Sequence, residues 1–458
     1  MILFLSLLIL APAEHIEYAV LYGNVESLGY YYVDLLVGTP AVPQTVIVDT
    51  GSRLTAFPCK GCTECGVHQN EYYDIYNSST AFIVGCKEGY ACSSCDKETC
   101  RYYHSYAEGS SISGYLVRDY VTIGDANRHN DPVQFVFGCH SVETNLFKSQ
   151  LADGIMGLAR NDHKSNTLID ALYSIRDINT QVFSICLGKE NGYMTVGGYN
   201  DTMHQGFLEF TPYYDQFFFA VEVVDIAVQD KRIRFKPEDF SNLYTVGTII
   251  DSGTTFVYLR DKIFKTVIKQ YNEHCQKPGN CLGDRVYIKG ESTDCFSYDD
   301  SNDLNQGGFF RSFPILTFYI GDITVDWLPE NYLYTYSSSE STYCLGIYNN
   351  HEGASVLGAI FMRGLDVVFD KEREMIGFAE SNCDPRDLGL VKGELPLIRY
   401  EMNQGMTPAK KLLIVLIVCI GIGVIVTVAG LVCKKQDRHA VLSSEDMEDA
   451  AQEPIEDL

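Results

Sequence analysis

Thr45-Val46-Ile47-Val48-Asp49-Thr50-Gly51-Ser52 and Gly247-Thr248-Ile249-Ile250-Asp251-Ser252-Gly253-Thr254 are two versions of one phrase. Each is a β-branched apolar run ending in an aspartate, a hydroxyl residue, a glycine and a second hydroxyl residue. β-branched residues favour a buried strand, and the glycine allows a tight turn with close backbone approach. An aspartate at the end of a buried strand is costly unless hydrogen-bonded, and the flanking hydroxyls are suitable donors. One such phrase carries little weight. Two of them point to a pair of carboxylates.

A second echo extends the first. Asp153-Gly154-Ile155-Met156-Gly157-Leu158 follows one phrase and Ser355-Val356-Leu357-Gly358-Ala359 the other. Asp49 to Gly157 is 108 positions and Asp251 to Gly358 is 107. The chain reads as a duplicated lobe, and packing about an approximate two-fold axis brings the two aspartates together. Over residues 25–385 these motifs resemble the pepsin-like aspartic proteases. The resemblance implies a mainly β, bilobal fold, with an N-terminal lobe over 14–205 and a C-terminal lobe over 206–385. It implies that Asp49 and Asp251 hydrolyse peptide bonds through one shared water. The ionised carboxylate takes a proton from the water while its protonated neighbour polarises the carbonyl. Like charges in contact titrate as a coupled pair. Thr50, Gly51, Ser52, Ser252, Gly253 and Thr254 support this dyad. Ser52 and Thr254 are expected to bond the outer carboxylate oxygens, and Thr50 and Ser252 to brace the two loops. No cofactor and no catalytic metal are implied.

Composition agrees with the fold class: 31 Tyr, 38 Gly and many short alternating runs favour strands over helix bundles. A formal charge of −25 excludes the basic footprint that nucleic acid requires. Residues 1–13 read as a signal peptide, with an apolar core too short to span a bilayer and small residues Ala11-Pro12-Ala13 for cleavage. About a dozen residues then precede a first strand expected near Tyr30, too few for a basic inhibitory prosegment. Leu412 to Val432 is an uncharged stretch of the length that spans a bilayer, flanked by lysines. It predicts a single-pass type I protein with its large domain lumenal, a stalk over 386–411, a transmembrane helix over 412–432 and an acidic cytosolic tail over 433–458. Two sequons, Asn77-Ser78-Ser79 and Asn200-Asp201-Thr202, are permissive for glycosylation.

Cysteine usage suits an oxidising compartment. Of 16 cysteines, Cys59, Cys62, Cys65, Cys86, Cys92, Cys95, Cys100, Cys139, Cys186, Cys275, Cys281, Cys295, Cys344 and Cys383 precede the membrane segment, and Cys419 and Cys433 belong to it. The first seven crowd into an insert over 59–100. Cys59, Cys62, Cys65 and His68 have the spacing of a zinc site, but in a secreted domain a disulfide knot is favoured. Seven is odd, so at least one of them pairs outside the cluster, with Cys139 the nearest candidate. Cys295 with Cys344 and Cys275 with Cys281 are candidate pairs in the second half. The insert, read from Asp49 through His68, resembles the plasmepsin V-like branch of the family, membrane-anchored proteases of the endoplasmic reticulum.

The hairpin Tyr102–Gly114 has a glycine- and serine-rich tip and resembles the family's flap (102–115), which closes over substrate. Tyr106 matches the flap tyrosine and Gly109 its tip. The family's usual tryptophan partner would fall near Ala56, the only Trp is Trp327, and Ala107 replaces a cysteine common in this branch. The resemblance further implies cleavage after leucine in an Arg-x-Leu export motif, with Glu108 and Gln150 holding the guanidinium. Polypeptide substrates are the expected partners, with translocation or signal-processing machinery beside them. The alternative is a catalytically inactive binding or inhibitor-like protein on the same scaffold.

Overall fold

The two aspartate phrases build the same local structure twice. The computed structural model describes residues 16–124, 131–160, 167–215, 217–240, 247–298, 308–336 and 341–391. The expected signal peptide, the span at 412–432 and the tail lie outside them. So does the second of the two units into which the chain divides, Arg399–Leu458. Among the described residues no helix is long and apolar enough to cross a membrane.

Strand Val42–Asp49 pairs in parallel with Gly154–Gly157, placing Gly157 opposite Asp49. Strand Thr248–Asp251 pairs in parallel with Val356–Gly358, placing Gly358 opposite Asp251. The matched spacing in the sequence is therefore a cross-strand register. Only glycine fits opposite each aspartate, because the chain leaving the aspartate folds back over that point. A Cβ on Gly157 would lie 2.4 Å from the Arg53 carbonyl carbon, and one on Gly358 2.3 Å from the Phe256 carbonyl oxygen.

Beneath both lobes runs an antiparallel platform of six strands. Their order is Glu209–Pro212, Met375–Glu380, Leu365–Asp370, Val182–Leu187, Gly192–Val196 and Glu17–Asn24. It draws on both sides of position 205, so the lobes share one sheet. Phe183 stacks on Phe369 across the seam with ring centroids 4.8 Å apart, and burying each such ring contributes about 1.5–3 kcal/mol. The first strand starts at Glu17, well before the position near Tyr30 expected from the sequence. Its period-2 pattern is hidden because its burial is set by pairing with Gly192–Val196. Helix Asp261–Cys275 buries Ile263, Val267 and Tyr271, one residue per turn on one face. Trp327 is a core residue of the second half, its indole N–H donating to the Ile360 carbonyl at 3.1 Å.

All fourteen cysteines of the described residues are paired: Cys59–Cys139, Cys62–Cys65, Cys86–Cys95, Cys92–Cys100, Cys186–Cys383, Cys275–Cys281 and Cys295–Cys344. The thiols of the zinc-like spacing are thus consumed by disulfides, and among the described residues no group of three or more potential ligands could hold a metal.

Glu17 is 3% exposed. Burial, then the neighbouring Asp177, push its carboxyl from 4.5 up to about 8. Between those values the folded chain keeps a proton that the unfolded chain has lost, so stability falls as pH rises through the window. Glu17→Gln keeps a donor facing Asp177 without the charge. Thermal melts should show the variant matching wild type at pH 4 and melting a few degrees higher, roughly 2–4 °C, at pH 8. Divergence at pH 4 instead would refute this account.

Candidate active site

Each aspartate sits where its buried strand gives way to a turn, and the turn's own backbone secures it. Gly51 N–H donates to Asp49 Oδ1 at 2.8 Å, and Gly253 N–H to Asp251 Oδ1 at 2.9 Å. The two carboxylates face each other closely. A Cβ on Gly51 would lie 2.6 Å from Asp251 Oδ2, and one on Gly253 2.3 Å from Asp49 Oδ1. Each glycine is thus the floor on which the opposite lobe's carboxylate rests.

Below the carboxylates, Thr50 and Ser252 interlock. Thr50 N–H donates to Ser252 Oγ at 3.1 Å and Ser252 N–H to Thr50 Oγ1 at 3.0 Å. Each hydroxyl then donates across the seam, Thr50 Oγ1 to the Ile250 carbonyl at 3.0 Å and Ser252 Oγ to the Val48 carbonyl at 2.8 Å. The outer positions are not equivalent. Thr254 Oγ1 donates to Asp251 Oδ2 at 2.7 Å, whereas Ser52 Oγ lies near Asp49 without a partner of hydrogen-bond geometry among the described residues. Asp49 is 5% exposed. Burial, and next the Asp251 carboxylate, hold its carboxyl well above the usual range, against the pull of Ser52 and the Gly51 N–H.

The flap is a hairpin of strands Thr99–Ser105 and Ser111–Ile123. Its turn is closed by Tyr106 N–H on the Ser110 carbonyl at 2.9 Å and Gly109 N–H on the Tyr106 carbonyl at 3.0 Å, with Gly109 in the left-handed region at φ 91°. Tyr106 packs on Phe147 at 5.0 Å. Burial, with the Asp49 carboxylate next, pushes its hydroxyl pKa up. Glu108 is exposed at the tip and accepts a bond from Ser110 Oγ. Asn145 Nδ2 donates to the Gly109 carbonyl at 2.8 Å, tying the tip to the short helix Leu146–Ser149 that precedes Gln150. The Gln150 side chain donates to the Ala152 carbonyl at 3.1 Å.

One buried cluster went unread as such in the sequence. His68 Nε2 and His140 Nδ1 lie 3.0 and 2.8 Å from the two oxygens of Glu143, which also accepts from Gly66 N–H at 2.9 Å. Burial alone would raise the Glu143 carboxyl, but the two imidazoles outweigh it and bring it to about 2. No periodicity or motif signals His140 or Glu143.

A family model described as eukaryotic aspartyl protease matches residues 30–381, spanning both aspartate loops and the flap. Aspartic protease 5 of Toxoplasma gondii is 34% identical over 406 residues, 82% of this chain, which spans only 39% of that protein's length. Plasmepsin V of Plasmodium falciparum is 24% identical over 445 residues, 79% of this chain and 73% of that protein. Aspartic proteinase nepenthesin-1 of Nepenthes gracilis is 26% identical over 370 residues, 78% of each. With its paired aspartate loops in one seam and the family model running through both, the chain belongs to the eukaryotic aspartyl proteases.

Proposed function

We propose that this chain is a membrane-anchored aspartic endopeptidase of the secretory route, with Asp49 and Asp251 acting on one water. The observation that supports the dyad is the mutual contact in which each loop glycine abuts the opposite carboxylate. Two carboxylates in such contact share a proton. Asp49, the more deeply buried member, whose carboxyl burial raises, carries the shared proton and donates it to the scissile carbonyl oxygen. Asp251, with the Gly253 N–H and the Thr254 hydroxyl donating to its two oxygens, takes the proton from water. The attacking water then forms the new bond to the carbonyl carbon, and the leaving amine is protonated by the same pair. The flap tyrosine screens the site from solvent.

The uncharged stretch Leu412–Val432 supports the anchor, and the paired cysteines support an oxidising lumen. An Arg-x-Leu-type substrate is supported by Glu108, exposed on the flap tip, and by the Asn145 bond that fastens that tip to the segment carrying Gln150. A carboxylate and an amide oxygen suit a planar guanidinium fork.

Peptide cleavage by the full chain tests the dyad. Asp49→Asn and Asp251→Asn should each lower turnover at least about a thousandfold without lowering the thermal midpoint; a variant with near-wild-type turnover would refute the mechanism. The rate should fall as pH rises past the point where Asp49 loses its proton, and fall again in acid when both members are protonated. Glu108→Ala should slow cleavage of Arg-containing peptides about tenfold more than their Lys counterparts, since a charge-assisted fork bond is lost. Equal loss on both would dismiss the arginine role.

A further inference from the structure

The resemblance places a tryptophan beside the flap tyrosine, and this chain has Ala56 there instead. Tyr102, on the outgoing flap strand, takes up that space. A Cβ on Gly138 would lie 2.7 Å from Tyr102 Cε1 and Cζ and 2.9 Å from the Ala56 Cβ, so three residues converge and two of them are small enough to admit the ring. Tyr102 is 3% exposed.

Four buried polar atoms in this region meet no partner of full hydrogen-bond geometry among the described residues: Tyr102 hydroxyl, Tyr106 hydroxyl, Ser52 Oγ and His140 Nε2, with Ser52 standing between Tyr106 and Asp49. Buried polar groups are nearly always satisfied, so a cluster of four calls for a common explanation. They lie along one line of neighbours. Tyr106 stands beside Ser52 and Asp49, Tyr102 interacts with Tyr106 and Glu143, and the Tyr102 and His140 ring centroids are 6.4 Å apart. At the far end Glu143 fixes the chemistry. Burial keeps His140 neutral, and its Nδ1 bond to the Glu143 carboxylate makes Nδ1 the protonated nitrogen. Nε2 is left as an acceptor.

We propose that Tyr102 is a positioning residue for the hydrolysis, its hydroxyl bridging His140 Nε2 and the Tyr106 hydroxyl when the flap closes on substrate. Donors and acceptors then match in one direction. His140 donates to Glu143, Tyr102 donates to His140, Tyr106 donates to Tyr102, and Ser52 is free to donate to Asp49. Such bonds are commonly long before substrate arrives and tighten in the closed complex. Glu143 thereby orients the flap tyrosine through two intermediaries, His140 and Tyr102. The inference rests on the dyad reading, because it assigns a role in closing the flap over that dyad.

The test is a double-mutant cycle on the full chain, with kcat and KM measured for wild type, Tyr102→Phe, Tyr106→Phe and the double variant. Tyr102→Phe keeps the ring and removes only the hydroxyl. It should lower kcat about tenfold with KM unchanged, and should cost nothing further in the Tyr106→Phe background, because its effect runs through Tyr106. An unchanged kcat, or a full additional loss in the double variant, overturns the proposal. A wild-type chain that cleaves no peptide defeats the dyad reading instead. Amide exchange at Tyr106–Gly109 then decides: faster exchange in Tyr102→Phe than in wild type supports the tether, and equal exchange overturns it.

Discussion

Four hydrogen bonds between Thr50 and Ser252 and the strands beneath them hold two carboxyl groups in contact. Two ionised carboxylates at that distance would repel by several kcal/mol, so the contact is kept by a shared proton together with a brace that does not touch the carboxyl oxygens. The brace directs both hydroxyls to backbone, at the Ile250 and Val48 carbonyls. The carboxylate oxygens are thereby left to the glycine N–H groups and Thr254. The rest of the seam serves the same end. Arg363, 1% exposed, pairs with Glu26 at 2.7 Å, and Thr255 Oγ1 donates to the Gly29 carbonyl at 2.6 Å. A lobe rotation that separated the aspartates would have to break bonds in all of these places together with the shared platform.

What was legible in the sequence follows from which constraints are local. The aspartate phrase is written out because β-branched strand, carboxylate, brace hydroxyl and floor glycine are adjacent in the chain. Gly157 and Gly358 are legible because a cross-strand register leaves no room for a side chain, which forces the same residue type at the same separation twice. Parity demands a partner outside the insert, and Cys139, the nearest cysteine in the chain, is that partner. The crossing of Cys86–Cys95 with Cys92–Cys100 does not follow from parity, since several connectivities satisfy the same count. The joins of Glu17–Asn24 with Gly192–Val196, of Val182–Leu187 with Leu365–Asp370 and of Glu209–Pro212 with Met375–Glu380 were illegible because the paired strands lie far apart in the chain. Tyr102 was hidden among 31 tyrosines; what distinguishes it is the smallness of Ala56 and Gly138, visible only once the three are in one place.

His68 shows how one residue carries two stories. In sequence its spacing from three cysteines suggests a metal ligand. In the fold the thiols are oxidised and the imidazole belongs to Glu143. Burial alone would lower its pKa, but the carboxylate outweighs burial and raises it, so the pair is a buried ion pair with its remaining valences filled. Nδ1 lies 3.1 Å from the Gln150 carbonyl and Gly66 N–H shares the Glu143 carboxylate. Removing one partner of such a pair is costly because the other charge stays buried.

That arrangement changes what the cysteine-rich insert is. Strand Val133–Glu143 carries Gly138, which admits the Tyr102 ring; Cys139, which closes on Cys59 at the root of the insert; and His140 and Glu143, which reach the flap and the insert respectively. An insertion attached only by disulfides at its neck would be free to vary without consequence for the site. Here its interior histidine grips the same carboxylate that orients His140, and through the Gln150 carbonyl it also holds the segment tied to the flap tip by Asn145. The insert is therefore mechanically continuous with the flap on both of its sides. Its length and disulfides belong to the geometry of the cleft and not to the surface alone.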